Sequence, residues 1–182
     1  MKKTKTIDIF GATNSLKVLS YLAEYPGKEF LTGDIQKAMA ISRAGVYLVL
    51  GELARQHLVL KTKKGSQLFY SIIYDDSAIK QFKVLKNVLA LRSLIAQLKP
   101  VSKKVVLYGS TSRGENDPTS DIDLFILSQE PETAKKVIGA LKTKQKIQSV
   151  IKTPSEFAEF RDKENIYYAE VDRGITIWEK KE

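Results

Sequence analysis

The stretch YGSTSRGENDPTSDIDLFIL, Tyr108 to Leu127, places a Gly-Ser pair before a polar loop and two aspartates at the head of an apolar run. Residues i and i+2 of a strand share a face, so Asp121 and Asp123 are expected to point the same way, roughly 7 Å apart at Cα. Two such carboxylates repel each other and lose hydration beside a buried strand. A bound divalent cation would offset that cost, and the spacing suits one or two ions.

The composition of the chain restricts which cation is suitable. None of the 182 residues is a cysteine, and His57 is the only histidine. These counts exclude disulfides, thiolate zinc sites, cysteine nucleophiles and histidine-rich metal clusters. Oxygen ligands remain, and they favour Mg²⁺ or Mn²⁺.

The segments on either side of the loop are typical of a buried sheet. KKVVLYGS and DIDLFILS predict two strands, the second buried on both faces. Gly109, at the end of the first, would allow a close approach of the backbone to a ligand. Ser110 and the amides around it would then receive a triphosphate, with Arg113 nearby to supply positive charge.

The segment GSTSRGENDPTSDIDL resembles the signature of the nucleotidyltransferase superfamily, which reads Gly-Ser, then Arg-Gly, then Ser-Asp-x-Asp. The similarity is to the small, minimal members related to kanamycin nucleotidyltransferase and to the polymerase-beta type. The resemblance covers residues 101–182 and implies a mixed β-sheet with helices on one side. The residues at the positions of the motif are Gly109, Ser110, Arg113, Gly114, Ser120, Asp121 and Asp123.

The resemblance implies transfer of a nucleoside monophosphate from a nucleoside triphosphate to a hydroxyl group. Two Mg²⁺ ions bridge the phosphates and the attacking oxygen in such enzymes, so Asp121 and Asp123 would be both catalytic and metal-binding residues. Ser110 would contact the β- or γ-phosphate. The nucleotide-binding set would consist of Gly109, Ser110, Arg113 and Ser120.

The sequence departs from that family at the third carboxylate. Active members carry it on the next strand, where it binds the catalytic metal and helps to deprotonate the acceptor. QKIQSVIK predicts the next strand here, and Gln148 or Ser149 takes the place of the acid. A neutral amide binds Mg²⁺ weakly and is no base at neutral pH. The remaining acidic candidates lie later in the chain: Glu156, Glu170 and Asp172.

Three interpretations of the Asp-x-Asp motif therefore stay open: nucleotidyl transfer, nucleotide binding without turnover, and a relic that binds nothing. Arg113 also has an alternative role, since it would equally pair with Glu115 or Asp117. Minimal nucleotidyltransferases often act as antitoxins beside a small helical protein, so the resemblance adds such a partner to the expectations.

Residues 1–75 predict a separate domain of helices followed by a hairpin. Three segments carry apolar residues at helical spacing: TNSLKVLSYLAEYP, LTGDIQKAMAIS and SRAGVYLVLGELARQHL. The predicted N-caps are Thr13 or Asn14, then Thr32, then Ser42. Two strands, Leu58–Lys61 and Gln67–Ile73, are predicted to flank a Lys-Lys-Gly-Ser tip that turns at Gly65.

This order of elements resembles the winged helix-turn-helix transcription regulators of bacteria and archaea. The resemblance implies binding to double-stranded DNA, with the third helix in the major groove and the wing on phosphates. A net charge of +9 is compatible with a polyanionic partner. The alternative is a winged helix that docks onto protein. The DNA-contacting residues would be Ser42, Arg43, Ala44, Tyr47, Lys61, Lys63 and Lys64.

Residues 76–100 lack glycine and, before Pro100, proline, and they predict one long connector helix. Its apolar residues cover more than one face, which indicates burial on more than one side and would suit a homodimer. The whole chain is thus expected to be an α+β protein of winged helix, connector helix and nucleotidyltransferase-like domain. No apolar run approaches the roughly 18 residues of a membrane span, and the basic N-terminal segment lacks a signal-peptide core, so we expect a soluble cytoplasmic protein.

Overall fold

The computed structural model describes residues 9–140, 143, 145–163 and 165–181. Most of the basic N-terminal segment, residues 1–8, lies outside the described residues. By its internal contacts the chain divides into two compact units, one ending at Lys80 and one beginning at Gln81. The greater part of the predicted connector therefore belongs to the second unit. Among the described residues, no helix is both long and apolar enough to cross a membrane.

The described part of the first unit contains three α-helices, α1 Asn14–Ala23, α2 Thr32–Met39 and α3 Arg43–Arg55. The short strand β1, Phe30–Leu31, precedes α2, and the hairpin β2 Val59–Lys64 and β3 Gln67–Ile72 follows α3. These strands form an antiparallel sheet in the order β1-β3-β2. The predicted order of three helices and a hairpin is observed. The large side chains that are fully buried in this unit include Val18, Leu22, Ile35, Val46, Leu50, Tyr70 and Ile79.

Side-chain caps set the starts of two of these helices. Thr13 and Ser42 each accept a hydrogen bond from an amide of the first turn, at 3.2 Å and 3.1 Å, as predicted. The N-cap prediction for Thr32 is wrong, because Thr32 is already helical and Leu31 is the N-cap. The Asp34 carboxylate accepts a hydrogen bond from the Leu31 amide at 3.1 Å and so serves the same end of the helix.

The hairpin is longer than predicted on its first strand. β2 continues through Lys64, and the turn lies at Gly65, which has φ +60°, and Ser66. Lys63 and Lys64 are therefore strand residues and not part of the tip. Lys63 pairs with Leu68 in the register.

The single connector helix predicted over residues 76–100 is wrong. Helix α4, Ser77–Ala90, is followed by a second helix, α5, Arg92–Leu98, and Leu91 between them has φ −83° and ψ −5°. No glycine or proline marks the break, which coincides with an apolar stripe that packs onto the second sheet: Leu91, Leu94, Ile95 and Leu98. Leu85 on α4 is 50% exposed. Pairing of two copies through this segment stays a prediction.

The second unit is built on a mixed four-stranded sheet, as predicted. The strands are β4 Lys104–Tyr108, β5 Ile122–Leu127, β6 Ile147–Lys152 and β7 Ile175–Glu179, in the order β6-β5-β4-β7. β5 runs parallel to β6, and β4 runs antiparallel to both β5 and β7. The central β5 is buried on both faces, with Leu124 on one and Phe125 on the other.

The prediction that helices cover one side of this sheet is wrong. Besides the short helix α6, Gly109–Arg113, the second unit has α7 Pro131–Gly139, α8 Pro154–Lys163 and α9 Asn165–Asp172. α5 and α7 pack on the face of Val105 and Leu107, and α8 and α9 supply aromatic side chains to the face of Val106 and Tyr108. Because β4 places buried side chains on both faces of the sheet, helices must cover both faces.

Candidate functional site

The turn from β4 into α6 brings the backbone of Gly109 against Asp123. Tyr108, the last residue of β4, lies opposite Asp123 in the antiparallel register, so the turn that follows it meets the carboxylate. Gly109 has φ +69°, and a Cβ at this position would collide with Oδ2 of Asp123. Glycine is required both for the left-handed backbone and for the space. The group that lies against Gly109 in the structure is a carboxylate of the motif, and the close approach to a ligand stays a prediction.

Helix α6 is a single turn that presents Ser110 beside this carboxylate. It ends at Gly114, which has φ +70° and donates its amide hydrogen bond to the Ser110 carbonyl. The Ser112 hydroxyl donates to the Gly109 carbonyl at 2.8 Å and closes the turn. The Ser110 side chain is half-buried and makes no hydrogen bond within the described part of the chain. Its hydroxyl is therefore available to a ligand.

Asp121 lies immediately before β5, close enough to Asp123 for the two charges to interact. The parallel register sets Gln148 of β6 beside Asp123, and the Gln148 side-chain amide donates a hydrogen bond to Oδ2 of Asp121. Gln148, and not Ser149, therefore occupies the place where the resemblance implies a third carboxylate. A carboxamide at this place offers one neutral oxygen ligand but no base.

Asp123 lies in surroundings that disfavour its ionised form. Burial raises the pKa of Asp123, and the neighbouring charges of Asp121 and Glu170 raise it further, while Arg113 partly offsets them. The repulsion expected from the sequence is present in the folded chain. A cation bound between the two aspartates would stabilise their charged forms.

Arg113 is held by two carboxylates in the described structure. Its Nε donates to Glu115 at 2.9 Å and its Nη1 donates to Glu170 on α9 at 2.8 Å. Glu115 was one of the two alternative partners predicted for Arg113, and this pair is observed, whereas no described ion pair joins Arg113 to Asp117. Glu170 thus lies beside the motif although 57 positions separate it from Arg113. The two carboxylates occupy Nε and Nη1 of Arg113 and offset its charge, so they compete with a triphosphate for the guanidinium.

The predicted nucleotide-binding residue Ser120 belongs to a tight turn with Asp117. The Ser120 hydroxyl accepts from the Asp117 amide at 2.9 Å, and the Asp117 carboxylate accepts from the amides of Thr119 and Ser120. Hydrogen bonds from Thr119 and then from Ser120 lower the pKa of Asp117. Gln145 donates to the carbonyls of both Asp117 and Ser120 at 3.0 Å. The contacts of Ser120 in the structure therefore shape the loop that leads into Asp121.

The donor set fits one magnesium ion better than two. Asp121 and Asp123 provide two neighbouring carboxylates, and Gln148 provides an amide oxygen if its side-chain amide rotates by 180°. Within the described residues, no group of three or more His, Cys, Asp or Glu side chains is placed to hold a metal. Mg²⁺ usually keeps several waters and takes one or two protein carboxylates together with substrate phosphates, so two aspartates suffice for one ion.

The later acidic candidates differ in position. Glu156 accepts from the amide and hydroxyl of Thr153 at 2.7 Å and 2.8 Å, so it serves the start of α8. Asp172 is exposed and lines a small cavity of about 70 Å³ with Phe125 and Tyr168. Only Glu170, through Arg113, is connected to the motif.

Two residues of α4 that sequence analysis did not single out also contact the loop. The Lys83 ammonium donates to the Asn116 carbonyl, and Asn87 donates to the Thr111 carbonyl and to Oδ1 of Asn116, both at 2.9 Å. Lys83 lies between apolar neighbours in the sequence and Asn87 follows four positions later, on the same helical face. Two polar residues four positions apart on the apolar side of a predicted helix are the sequence signal by which Lys83 and Asn87 could have been identified.

An open cleft adjoins the site along α9. Its volume is about 670 Å³, and one of its walls is the Glu170 side chain that binds Arg113. The Tyr167 hydroxyl on the same wall is hydrogen-bonded to the Tyr108 hydroxyl, next to Gly109. The lining residues are Ile166, Tyr167, Ala169, Glu170 and Arg173.

In the first unit, the residues predicted to contact DNA lie at the surface. Ser42, Arg43 and Ala44 are exposed at the start of α3, and Tyr47 is 58% exposed one turn later. Lys61 and Lys63 are exposed on β2 and have no ion-pair partner within the described part of the chain. Lys64 differs, because its ammonium pairs with Glu29 and lies over the Phe69 ring.

Comparison with known proteins supports the assignment of the second unit. A family model described as a nucleotidyltransferase domain matches residues 90–176. This match supports a nucleotidyltransferase domain in the C-terminal part of the chain, and such domains generally use a divalent metal and a nucleoside triphosphate. No curated protein matches the chain.

A solved structure gives a distant similarity over both units. The archaeal chromatin protein TrmBL2, whose structure is described as showing a novel mode of DNA binding, shares 12% identity with this chain. The alignment covers 85% of this chain and 68% of that one, with a TM-score of 0.31. Similarity at this level assigns neither a fold nor a function.

Proposed function

We propose that the second unit binds a nucleoside triphosphate with Mg²⁺ and transfers its nucleoside monophosphate to a hydroxyl acceptor. The observation that carries the proposal is that Asp121 and Asp123 lie close together beside Gln148, with the glycine turn of Gly109 against Asp123. The burial and like-charge repulsion that raise the pKa of Asp123 are costs that a bound cation removes. In the described structure the hydrogen bond from Gln148 to Asp121 offsets only part of that cost.

The chemistry of the site is largely positional and electrostatic. The acceptor oxygen would attack the α-phosphorus, the bond from that phosphorus to the bridging oxygen would break, and pyrophosphate would leave with the electron pair. Mg²⁺, when held by Asp121 and Asp123, supplies charge stabilisation to the phosphates. The Ser110 hydroxyl and the amides of α6 would bind phosphate oxygens. Because Gln148 is no base, the acceptor proton would pass to solvent or to a carboxylate outside β6.

The binding step is tested by calorimetric titration of ATP, GTP, CTP and UTP in the presence of Mg²⁺. We expect metal-dependent binding by the wild type and its loss in Asp121→Ala/Asp123→Ala. Asp172→Ala, which removes an exposed carboxylate from the same unit, is the matched control and should bind normally. Absence of binding for all four nucleotides would refute the proposal.

The transfer step needs a separate assay, because the acceptor is unidentified. Triphosphates labelled at the α-phosphorus are incubated with the protein and a cell lysate, and label is sought in protein, RNA and small molecules. Label that depends on Asp121 and Asp123 supports transfer. Binding without any transfer would leave a nucleotide-binding domain that does not turn over.

We propose, as a second function, that the first unit binds double-stranded DNA as a winged helix. The supporting observation is that Arg43, Tyr47 and the wing residues Lys61 and Lys63 are exposed and carry no described ion pair. Arg43 at the start of α3 would reach base edges, and the two lysines would neutralise phosphates. Lys64 contributes less, because DNA must compete with Glu29 for its ammonium.

The test measures binding to a labelled DNA duplex from the region upstream of the coding sequence over a range of salt concentrations. Replacing Lys61 and Lys63 by alanine should reduce the magnitude of the log–log salt slope by about 1.8, as expected for two lost phosphate contacts. Arg43→Ala should weaken binding and reduce sequence discrimination. Arg55→Ala, at the other end of α3 and paired with Glu52, is the control. Equal binding by all variants would favour a protein partner for this surface.

A further inference from the structure

Lys83 is a buried lysine, and its burial removes the ammonium from water. Lys83 is 7% exposed, and its ammonium donates to the backbone carbonyl of Asn116 in the loop between α6 and β5. Burial lowers the pKa of Lys83, with charges on the loop opposing that effect. A buried ammonium pays a large desolvation penalty, and an apolar side chain of similar length would fill the same space without it.

Asn87, one helical turn later, holds two separate points of the same loop. Its side-chain amide donates to the Thr111 carbonyl in α6 and to Oδ1 of Asn116, both at 2.9 Å. The Thr111 hydroxyl in turn donates to the Asp121 carbonyl at 3.1 Å. The network therefore runs from α4 through the residue after Ser110 to the first aspartate of the motif.

We propose that Lys83 and Asn87 are positioning residues that hold the loop of residues 110–120 in the shape that binds the nucleotide phosphates. This inference rests on the proposed function of the second unit. Neither side chain touches the aspartates, so both act through Thr111 and Asn116. Fixing the loop before the ligand arrives reduces the entropy that binding would otherwise lose.

The charge of Lys83 has a second consequence for an anionic ligand. The loop it supports carries Glu115 and Asp117, and both carboxylates lie close enough to act on the Lys83 ammonium. A triphosphate that approaches this loop meets those negative charges as well as the aspartates of the motif. The buried ammonium offsets part of the repulsion, which a neutral hydrogen-bond donor would not do.

Both residues precede the region that defines the nucleotidyltransferase domain. The family match begins at residue 90, whereas Lys83 and Asn87 lie on α4, Ser77–Ala90. The helix that leads into the domain therefore supplies the supports of its phosphate-binding loop.

The test compares Asn87→Leu and Lys83→Met with two controls on the same helix, Gln81→Leu and Lys80→Met, all in the full chain. Gln81 is an exposed carboxamide, and Lys80 is a lysine on the other side of the unit boundary. The Mg²⁺-dependent affinity for ATP is measured by calorimetry. Amide hydrogen exchange over residues 110–121 is measured without nucleotide, and thermal unfolding reports on folding.

We expect Asn87→Leu and Lys83→Met each to weaken ATP binding about tenfold, the scale of one or two lost hydrogen bonds to a buried partner. Exchange over residues 110–121 should accelerate in both variants, and the controls should match the wild type. If Lys83→Met fails to fold, Asn87→Leu and the milder Asn87→Ser decide. Folded variants that bind ATP as tightly as the controls overturn the inference, whatever their exchange rates.

The design also separates this inference from the proposed function. If the wild type binds no nucleotide, the proposed function fails and the positioning role fails with it. If the wild type binds and Asp121→Ala/Asp123→Ala does not, the function stands and the α4 variants alone judge the inference. If exchange accelerates without loss of affinity, Lys83 and Asn87 serve stability only.

Discussion

The orientation of the Gln148 carboxamide decides whether its oxygen or its nitrogen faces a cation bound by Asp121 and Asp123. The side-chain amide of Gln148 donates to Asp121, so the carboxamide presents its nitrogen to the place that a cation would occupy. A bound cation requires the oxygen to face it instead, which ends that hydrogen bond. The same position with a carboxylate would supply both a third ligand and a base.

Gln148→Glu should therefore strengthen metal binding. The substitution keeps the length of the side chain and adds a negative charge beside Asp121, so it should raise the affinity for Mn²⁺ by about tenfold or more. The measurement is Mn²⁺ titration followed by electron paramagnetic resonance. Gln97→Glu, which adds the same charge at an exposed position of α5, is the control. Unchanged Mn²⁺ affinity in Gln148→Glu would place the metal away from β6.

Glu170 is predicted to compete with the nucleotide for Arg113. Glu170→Gln removes one of the two carboxylates that hold the guanidinium and one negative charge near Asp123, so it should tighten ATP binding several-fold. The pair is about half exposed, which limits the effect. The affinity for ATP is measured by calorimetry at fixed Mg²⁺ concentration. Asp172→Asn on the same helix controls for the change in charge. Weaker binding by Glu170→Gln would make Glu170 a ligand of the metal or nucleotide instead.

The residues that sequence reasoning found and missed differ in how far their partners lie along the chain. Gly109, Asp121 and Asp123 belong to one short motif, so their spacing alone predicts a shared site. Glu170 meets Arg113 from 57 positions away, and Asn87 meets Thr111 from 24 positions away. No local pattern encodes such pairs, because they depend on how α4 and α9 pack in the folded unit.

At the scale of elements, the hydrophobic pattern located most helices and strands but not their packing. The break at Leu91 leaves no mark in the sequence, since it follows from the fit of α5 to the sheet and not from a helix-breaking residue. Cover on both faces of the sheet was implied by the apolar run of β5, yet the expectation of helices on one side came from the resemblance. The continuous apolar run of the strand predicted the cover of the sheet better than the resemblance did.

The β4–α6 turn is the element on which the site depends most, and Gly109→Ala should disable it. The new Cβ would displace the Asp123 carboxylate, and a left-handed alanine would add strain of about 1–3 kcal/mol. We expect a loss of Mg²⁺-dependent ATP binding of at least about tenfold, with a lower unfolding temperature. The measurements are calorimetry and thermal unfolding.

Gly139→Ala provides the matched control for that substitution. Gly139 is the last residue of α7, and nothing lies within 4 Å of the position that its Cβ would occupy. The added methyl should leave ATP binding unchanged. Normal binding by Gly109→Ala would show that Asp123 need not lie against this turn.

At the scale of the whole molecule, the division between the two units falls inside a helix. α4 begins at Ser77, before the boundary at Lys80, and ends at Ala90 in the second unit. The sequence placed a separate connector between two domains, because a helix without glycine or proline gives no sign of where its contacts change. The hydrogen bonds from Lys83 and Asn87 to the carbonyls of Asn116 and Thr111 instead tie the C-terminal part of α4 to the second unit.

Two fragments of the chain test that assignment. Residues 76–182 retain α4 with its cap, since the Asp76 carboxylate accepts hydrogen bonds from the amides of Ala78 and Ile79. This fragment should bind ATP with Mg²⁺ as tightly as the full chain. Residues 90–182 keep the matched nucleotidyltransferase segment but lose Lys83 and Asn87, so this fragment should bind at least about tenfold more weakly. Circular dichroism verifies that each fragment is folded before calorimetry, and equal affinity of two folded fragments would contradict the role of α4.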